Sequence, residues 1–137
     1  MRALSITYDG DQHATALQKP QHNVLAIDCP YTGKGEEFSP ANLLGISLAS
    51  CMLLSMGAVA QRDHLNLKGT VVNIGLAGMD KTFPHVDSIK VVFHIPRDFS
   101  VTDREKLERA ANLCPIMSSI SADTAVSTTY KYAAAAI

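Results

Sequence analysis

Alternating apolar and polar residues predict strands at the start of the chain. Leu4, Ile6 and Tyr8 alternate with small or polar residues, and a turn at residues 9–11 leads to a second run at residues 13–17. A third apolar run at residues 23–29 follows a break at residues 19–20. Such alternation between turn residues is typical of antiparallel strands. We therefore predict a hairpin and a third strand, followed by a Gly-, Lys- and Glu-rich surface loop at residues 30–38 that borders the functional site.

The next segment predicts a long helix. Ser39 can cap free backbone N–H groups, and Pro40 suits the first helical position, where no N–H is needed. The predicted helix covers residues 40–64, and its apolar residues surround most of its circumference, which is typical of a helix enclosed on nearly all sides. Residues 43–60 carry no charge and reach the lower limit for spanning a membrane. Interspersed Gly and Ser residues and flanking strands favour a protein core instead.

Two longer strands are predicted at residues 70–79 and 85–95. The second strand has one apolar face and one mixed face, which is typical of a half-buried antiparallel sheet. The apolar face holds Ile89, Val91, Phe93 and Ile95, and the other holds Ser88, Lys90 and His94.

The last third predicts two short helices and a strand. Residues 102–105 read Thr-Asp-Arg-Glu, a capping-box pattern that starts an amphipathic helix with Leu107, Ala110 and Ala111 facing inward. A Cys-Pro step at residues 114–115 ends it and starts a helix at residues 116–122. A strand at residues 125–132 precedes an Ala-rich tail, residues 133–137. The order βββ-α-ββ-αα-β predicts an α+β fold with a mainly antiparallel sheet and a long buried central helix.

Composition narrows the class of protein. A chain of 137 residues is the length of one domain, so we expect residues 1–137 to form a single domain. The net charge of −1 provides no electrostatic basis for binding nucleic acid or an anionic membrane. Charged residues make up 18% of the chain, below the roughly 25% of typical domains, which favours burial against a second subunit. Three cysteines and the absence of a secretory pattern predict a reducing, cytoplasmic location.

The cysteines are the main candidates for chemistry. No phosphate loop, dinucleotide motif, HExxH or CxxC is present, so we expect neither cofactor nor metal. Cys114 precedes a helical proline, where free N–H groups favour a thiolate by about 0.3–1 kcal/mol. Cys51 lies mid-helix among apolar residues, where desolvation should raise its pKa unless a cation or strong donor reaches it. It is either a buried structural cysteine or a reactive one, and Cys29 is interpreted as structural or incidental.

Residues 38–51, Phe-Ser-Pro-Ala-Asn-Leu-Leu-Gly-Ile-Ser-Leu-Ala-Ser-Cys, followed by Cys114 and Pro115, resemble the OsmC/Ohr family of thiol-dependent peroxidases. The resemblance extends over the whole chain and implies an OsmC-like intertwined homodimer with its sites at the interface. It implies that Cys51 reduces a hydroperoxide and becomes a sulfenic acid, and that Cys114 resolves it as a disulfide. A thiol reductant, dihydrolipoyl in one branch of the family, would then restore both thiols. The implied role is defence against oxidative stress.

The chain departs from the family pattern beside the reactive thiol. The family pairs that thiol with a hairpin Arg and with a Glu ten residues before the cysteine, whereas this chain has Ala41 there and no Arg between Arg2 and Arg62. Possible replacements are Glu36, Glu37, His13, His22 and Arg2, the last from a partner subunit. An apolar substrate pocket is expected from Phe38, Leu44, Leu48, Met52 and Met117, which favours organic hydroperoxides. The alternative hypothesis is a dimeric binding or thiol-exchange protein with weak or no peroxidase activity.

Overall fold

The computed structural model describes residues 3–80, 82 and 84–133, and it confirms the predicted order of elements and the α+β class. The elements are β1 (Ala3–Gly10), β2 (His13–Lys19), β3 (Asn23–Asp28), α1 (Pro40–Arg62), β4 (Val71–Ala77), β5 (Ser88–Ile95), α2 (Val101–Asn112), α3 (Pro115–Ser119) and β6 (Ala125–Tyr132). The chain divides into two compact units, Met1–Leu44 and Gly45–Ile137, which are described in turn.

The first unit is built on an antiparallel sheet of β1, β2 and β3 in that order. The hairpin turn lies at Asp11 and Gln12, which both have positive φ, and β1 continues through Gly10, into the turn predicted at residues 9–11. Two consecutive residues with positive φ match the twist of a tight hairpin. One face of β1 presents Leu4, Ile6 and Tyr8, each at least 65% exposed in the single chain.

The loop after β3 closes on itself before α1 begins. The backbone N–H of Asp28 donates to the carbonyl of Phe38 at 3.1 Å, which joins the two ends of the loop. At the start of α1, the Ser39 hydroxyl accepts from the Asn42 N–H at 3.1 Å, and the Asn42 side-chain oxygen accepts from the Ser39 N–H at 3.1 Å. This reciprocal arrangement is a capping box with Asn in the usual Glu or Gln position. It confirms Ser39 as the cap.

The second unit has a three-stranded sheet with β5 at its centre, antiparallel to β4 and parallel to β6. The predicted apolar face of β5 is confirmed, because all four of its side chains are 0% exposed: Ile89, Val91, Phe93 and Ile95. On the opposite face, Lys90 is exposed but His94 is only 5% exposed. The expected half-exposed face is therefore wrong at His94, because the central strand is covered on both faces near its end.

Helix α1 buries one face in the second unit rather than its whole circumference. Leu48, Met52 and Met56 are 0% exposed in the core, whereas Leu54 is 73% exposed. Among the described helices, only α1 has the length and composition to cross a membrane. Its wholly buried residues support the interpretation as a core helix. The predicted enclosure on nearly all sides is not met within one chain.

Helix α2 begins two residues earlier than predicted. Its N-cap is Ser100, whose hydroxyl accepts from the Asp103 N–H at 3.2 Å, so Thr102 and Glu105 lie inside the helix. Ser100 is the last residue with extended backbone, which makes its side chain the one able to reach a free N–H. The predicted inward residues Leu107 and Ala111 are 0% exposed, and Ala110 is half-buried. Helix α3 ends at Ser119, short of the predicted residue 122.

Candidate active site: a pair of cysteines

Two helices of the second unit present the candidate thiols. Cys51 lies in the middle of α1, half-buried against the core. Cys114 is 1% exposed and occupies the N-cap of α3, as the Cys-Pro step predicts. Its backbone is extended, with φ −65° and ψ 147°, and its sulfur accepts a hydrogen bond from the Met117 N–H at 3.3 Å. The cap therefore fixes the position of the Cys114 sulfur.

The fold brings the side chains of Cys51 and Cys114 together. The Cys51 thiol is near enough to raise the pKa of the Cys114 thiol, and both cysteines are free thiols. Cys51 keeps part of its surface exposed, whereas Cys114 is buried in the core. This arrangement can exchange one S–S bond for two thiols, with one sulfur accessible from outside and the other held internally.

Burial is the largest influence on the pKa of the Cys114 thiol. Desolvation raises the pKa of the Cys114 thiol, the N–H groups of Met117 and Ile116 oppose that rise, and the neighbouring Cys51 thiol adds to it. The N–H groups at the N-cap act in the predicted direction, but the expected net activation of the Cys114 thiol is wrong, because desolvation outweighs them. The free N–H groups are present, but the desolvation penalty of a buried thiolate is larger than the stabilisation that a helix N-terminus provides.

Cys29 lies in the first unit in a different environment. The Thr32 hydroxyl and the backbone N–H groups of Thr32, Tyr31 and Gly33 lower the pKa of the Cys29 thiol. The Gly33 N–H also donates to the Cys29 carbonyl at 2.8 Å, and a Cβ on Gly33 would lie 2.7 Å from that oxygen. The sequence did not predict this turn, and the interpretation of Cys29 as structural or incidental stays a prediction. The signal of the turn is a cysteine followed closely by Thr and Gly, which can turn several N–H groups toward one sulfur.

The predicted pocket residues occupy different environments. In the second unit, Leu48 and Met52 are 0% exposed parts of the core, and Met117 is half-buried against it. In the first unit, Phe38 is 47% exposed and Leu44 is 38% exposed. Leu48 and Met52 thus have no surface to offer a substrate within one chain. A substrate pocket formed by these five residues stays a prediction.

Three of the predicted supporting residues meet around one cavity of the first unit. Glu36, Glu37 and His13 line a cavity of about 350 Å³, where His13 pairs with Asp9 at 2.8 Å. His22 is exposed at the turn between β2 and β3, with φ 58°. Arg2 lies outside the described residues. A role for any of them beside Cys51 stays a prediction.

No three of the described His, Cys, Asp and Glu side chains converge in a way that could hold a metal ion. The groups that shift the pKa of the Cys114 thiol are the Met117 and Ile116 N–H groups and the Cys51 thiol.

Comparison with known proteins places the chain in a family. Residues 33–129 match the family model described as OsmC-like protein. Among curated proteins, none matches the chain. A protein of Psychrobacter arcticus 273-4, described as an osmotic stress induced and detoxification response protein, is 27% identical over 96% of both chains, with a TM-score of 0.89.

Two more distant structures share the fold. The OsmC-like protein of Mycoplasma pneumoniae is 14% identical over 96% of both chains, with a TM-score of 0.81. The organic hydroperoxide resistance protein OhrB of Bacillus subtilis is 16% identical over 94% of this chain and 98% of its own, with a TM-score of 0.66. Because the family model spans more than half of the sequence, and the fold agrees throughout, this chain belongs to the OsmC-like protein family.

Proposed function

We propose that this protein is a cytoplasmic, thiol-dependent peroxidase that reduces organic hydroperoxides in defence against oxidative stress. The observation that carries the proposal is the meeting of a half-buried Cys51 with a buried Cys114. Similarity of fold to OhrB of Bacillus subtilis, an organic hydroperoxide resistance protein, supports the same reaction class.

Exposure assigns the two sulfurs different roles in this proposal. A peroxide arriving from solvent meets Cys51 first, because Cys114 is only 1% exposed. The Cys51 thiolate attacks one oxygen of ROOH, the O–O bond breaks, and Cys51 becomes a sulfenic acid while the alkoxide takes a proton and leaves as ROH. One oxygen atom thereby passes from the peroxide to the Cys51 sulfur, and two electrons pass from that sulfur to the peroxide.

Cys114 then resolves the sulfenic acid. Its sulfur attacks the Cys51 sulfur, an S–S bond forms, and the hydroxyl leaves with a proton as water. The raised pKa of Cys114 keeps it protonated until this step, so it can donate a hydrogen bond to the developing sulfenic acid. An external dithiol of the dihydrolipoyl class supplies two electrons and two protons to regenerate both thiols.

The proposal includes a homodimer. Apolar side chains stand exposed on both units of the single chain, including Leu54 at 73% and Leu4 at 76%. Large exposed apolar groups together with a charged fraction of 18% favour burial against a second copy. Sedimentation equilibrium should therefore give twice the chain mass of 14.7 kDa, and a monomer at micromolar concentration would contradict the dimer.

Matched cysteine variants test the peroxidase reaction. With cumene hydroperoxide and dihydrolipoamide, C51S should lose turnover. Without the dithiol, which would itself reduce a sulfenic acid, C114S should consume one equivalent of peroxide and leave a sulfenic acid that dimedone traps. C29S is the control, because Cys29 lies outside the pair, and it should retain turnover. Turnover by C51S, or a peroxide rate no faster than that of a free thiol in the unmodified protein, would overturn the proposal.

The second candidate function is thiol exchange without efficient peroxidase chemistry. It is favoured by Ala41 and by the surroundings of Cys114, where the groups that shift its pKa are N–H donors and a thiol but no cation. In this case a small disulfide should oxidise the Cys51–Cys114 pair rapidly while hydroperoxide does so only slowly. The ratio of these two rates separates the candidates.

A further inference from the structure

A cavity of the first unit is lined mainly by carboxylates. It has a volume of about 350 Å³ and lies between the β1–β2 hairpin, the end of β3 and the loop that follows. Its acidic lining residues are Asp9, Asp11, Asp28, Glu36 and Glu37. Lys34 is the only permanent cation among the lining residues, so the lining carries a formal charge of −4 with His13 neutral (−5 + 1). The whole chain carries only −1, so negative charge is concentrated here.

Among these carboxylates, Asp28 is buried and only partly hydrogen-bonded. It is 5% exposed, and its Oδ2 accepts a hydrogen bond from the Glu36 N–H at 3.0 Å. Its Oδ1 is buried and has no hydrogen-bond partner among the described residues. A buried carboxylate is unfavourable unless it is paired or fully hydrogen-bonded. A positively charged or hydrogen-donating group beside the free Oδ1 of Asp28 would therefore stabilise this carboxylate.

The two basic residues that line the cavity, Lys34 and His13, do not pair with the free Oδ1 of Asp28. Lys34 forms no ion pair within 4.0 Å with any described residue. His13 is engaged with Asp9, which also accepts from the Thr15 hydroxyl at 2.6 Å. These contacts lower the pKa of Asp9 and keep it ionised. The cavity thus retains its excess of negative charge.

The arrangement selects against a small metal ion. A metal needs several ligands converging on one point at about 2.0–2.6 Å, and no three of the described acidic, His or Cys side chains do so. Carboxylates spread around a larger cavity match a cation whose charges are also spread. We propose that this cavity binds a short di- or polyammonium ion of the polyamine class, with one ammonium group beside Asp28 and another beside the Glu36–Glu37 pair. The proposal is independent of the peroxidase reaction.

Binding can be measured on the full chain with spermidine as the probe. At pH 7.5 and low salt, spermidine should raise the unfolding temperature in a saturable manner, and NaCl of equal ionic strength should not. Titration calorimetry should give one site per chain. Asp28→Asn keeps the shape of the side chain and an acceptor for the Glu36 N–H, and should weaken binding at least tenfold.

Two further variants keep the test decisive. Glu37→Gln removes a charge at an exposed loop position and should weaken spermidine binding severalfold even if D28N disturbs the loop. Asp123→Asn removes the same charge from an exposed residue of the second unit and should leave the affinity unchanged. Equal losses in E37Q and D123N would reduce the effect to general charge attraction and overturn the site. A larger stabilisation by Mg²⁺ or Ca²⁺ than by spermidine would overturn the organic cation.

Discussion

Helix α1 carries two glycines that the structure places in opposite environments. At Gly45 an added Cβ would lie 2.9 Å from Ile74 Cγ2 and 3.3 Å from Leu76 Cδ1, whereas at Gly57 no heavy atom lies within 4 Å. Comfortable carbon contacts are about 3.5–4.0 Å, so alanine at position 45 requires the side chains of Ile74 and Leu76, or the backbones that carry them, to shift. The same substitution at Gly57 meets no obstacle within the single chain. The pair separates packing from helix propensity on one helix.

Helix propensity and packing together determine the expected change in the free energy of unfolding. Replacing a helical Gly by Ala stabilises the helix by about 0.8–1.0 kcal/mol. Overpacking a core contact costs about 1–3 kcal/mol, and the γ2 methyl of Ile74 has little freedom because a β-branched side chain is stiff at χ1. Gly57→Ala should therefore raise the free energy of unfolding by about 1 kcal/mol. Gly45→Ala should change it by anything from no net effect to a loss of about 2 kcal/mol.

Urea unfolding at fixed protein concentration measures both variants. The decisive quantity is the difference between them, expected at about 1–3 kcal/mol, because the propensity gain is common to both. Gly45 also lies in the helix that carries Cys51, so the rate of Cys51–Cys114 disulfide formation provides a second readout. Equal free energies of unfolding in the two variants, or a loss at Gly57, would refute the reasoning from these contacts.

Other predictions test the thiols, the helix cap and the acid stability. Iodoacetamide should modify Cys29 at lower pH than Cys114, because hydrogen bonds lower the pKa of the Cys29 thiol and burial raises the pKa of the Cys114 thiol. Peptide mass spectrometry at a series of pH values measures the order of modification, and the reverse order would contradict this prediction. Ser100→Ala should cost about 1 kcal/mol and Thr102→Ala much less, and similar unfolding midpoints would contradict the assigned cap. A guanidinium and a backbone N–H lower the pKa of Asp98, so its stabilising contribution is present above the ordinary carboxyl pKa of about 4 and is lost as pH falls through the lowered value. Asp98→Asn should therefore flatten the acid limb of unfolding temperature against pH, and an unchanged limb would exclude this contribution.

Local patterns were sufficient to predict most elements. Alternation of side chains identified the buried face of β5, and Ser39 before a proline marked the start of α1. These features depend on contacts between residues a few positions apart, which the order of residues specifies directly. The cap of α2 was misplaced at Thr102 because two overlapping patterns compete there, and only the backbone conformation of Ser100 decides between them.

The OsmC-like family was predicted from residues 38–51, which lead into the long helix and include Cys51, and from the later Cys-Pro step, and the family match confirms it. Neither feature fixes the environment of the sulfurs. Whether Cys51 and Cys114 approach each other depends on how α1 and α3 pack, because they are distant along the chain. Their pKa values depend on burial, which the whole core determines.

The sequence by itself therefore determined the order of the elements, the apolar face of β5 and the identity of the candidate thiols. The tertiary structure alone decided that burial raises the pKa of the Cys114 thiol, and that the Thr32 hydroxyl and backbone N–H groups lower the pKa of the Cys29 thiol. It also decided that five carboxylates line one cavity. The physical reason is that secondary structure follows from short-range periodicity, whereas desolvation and charge interactions depend on which distant residues become neighbours.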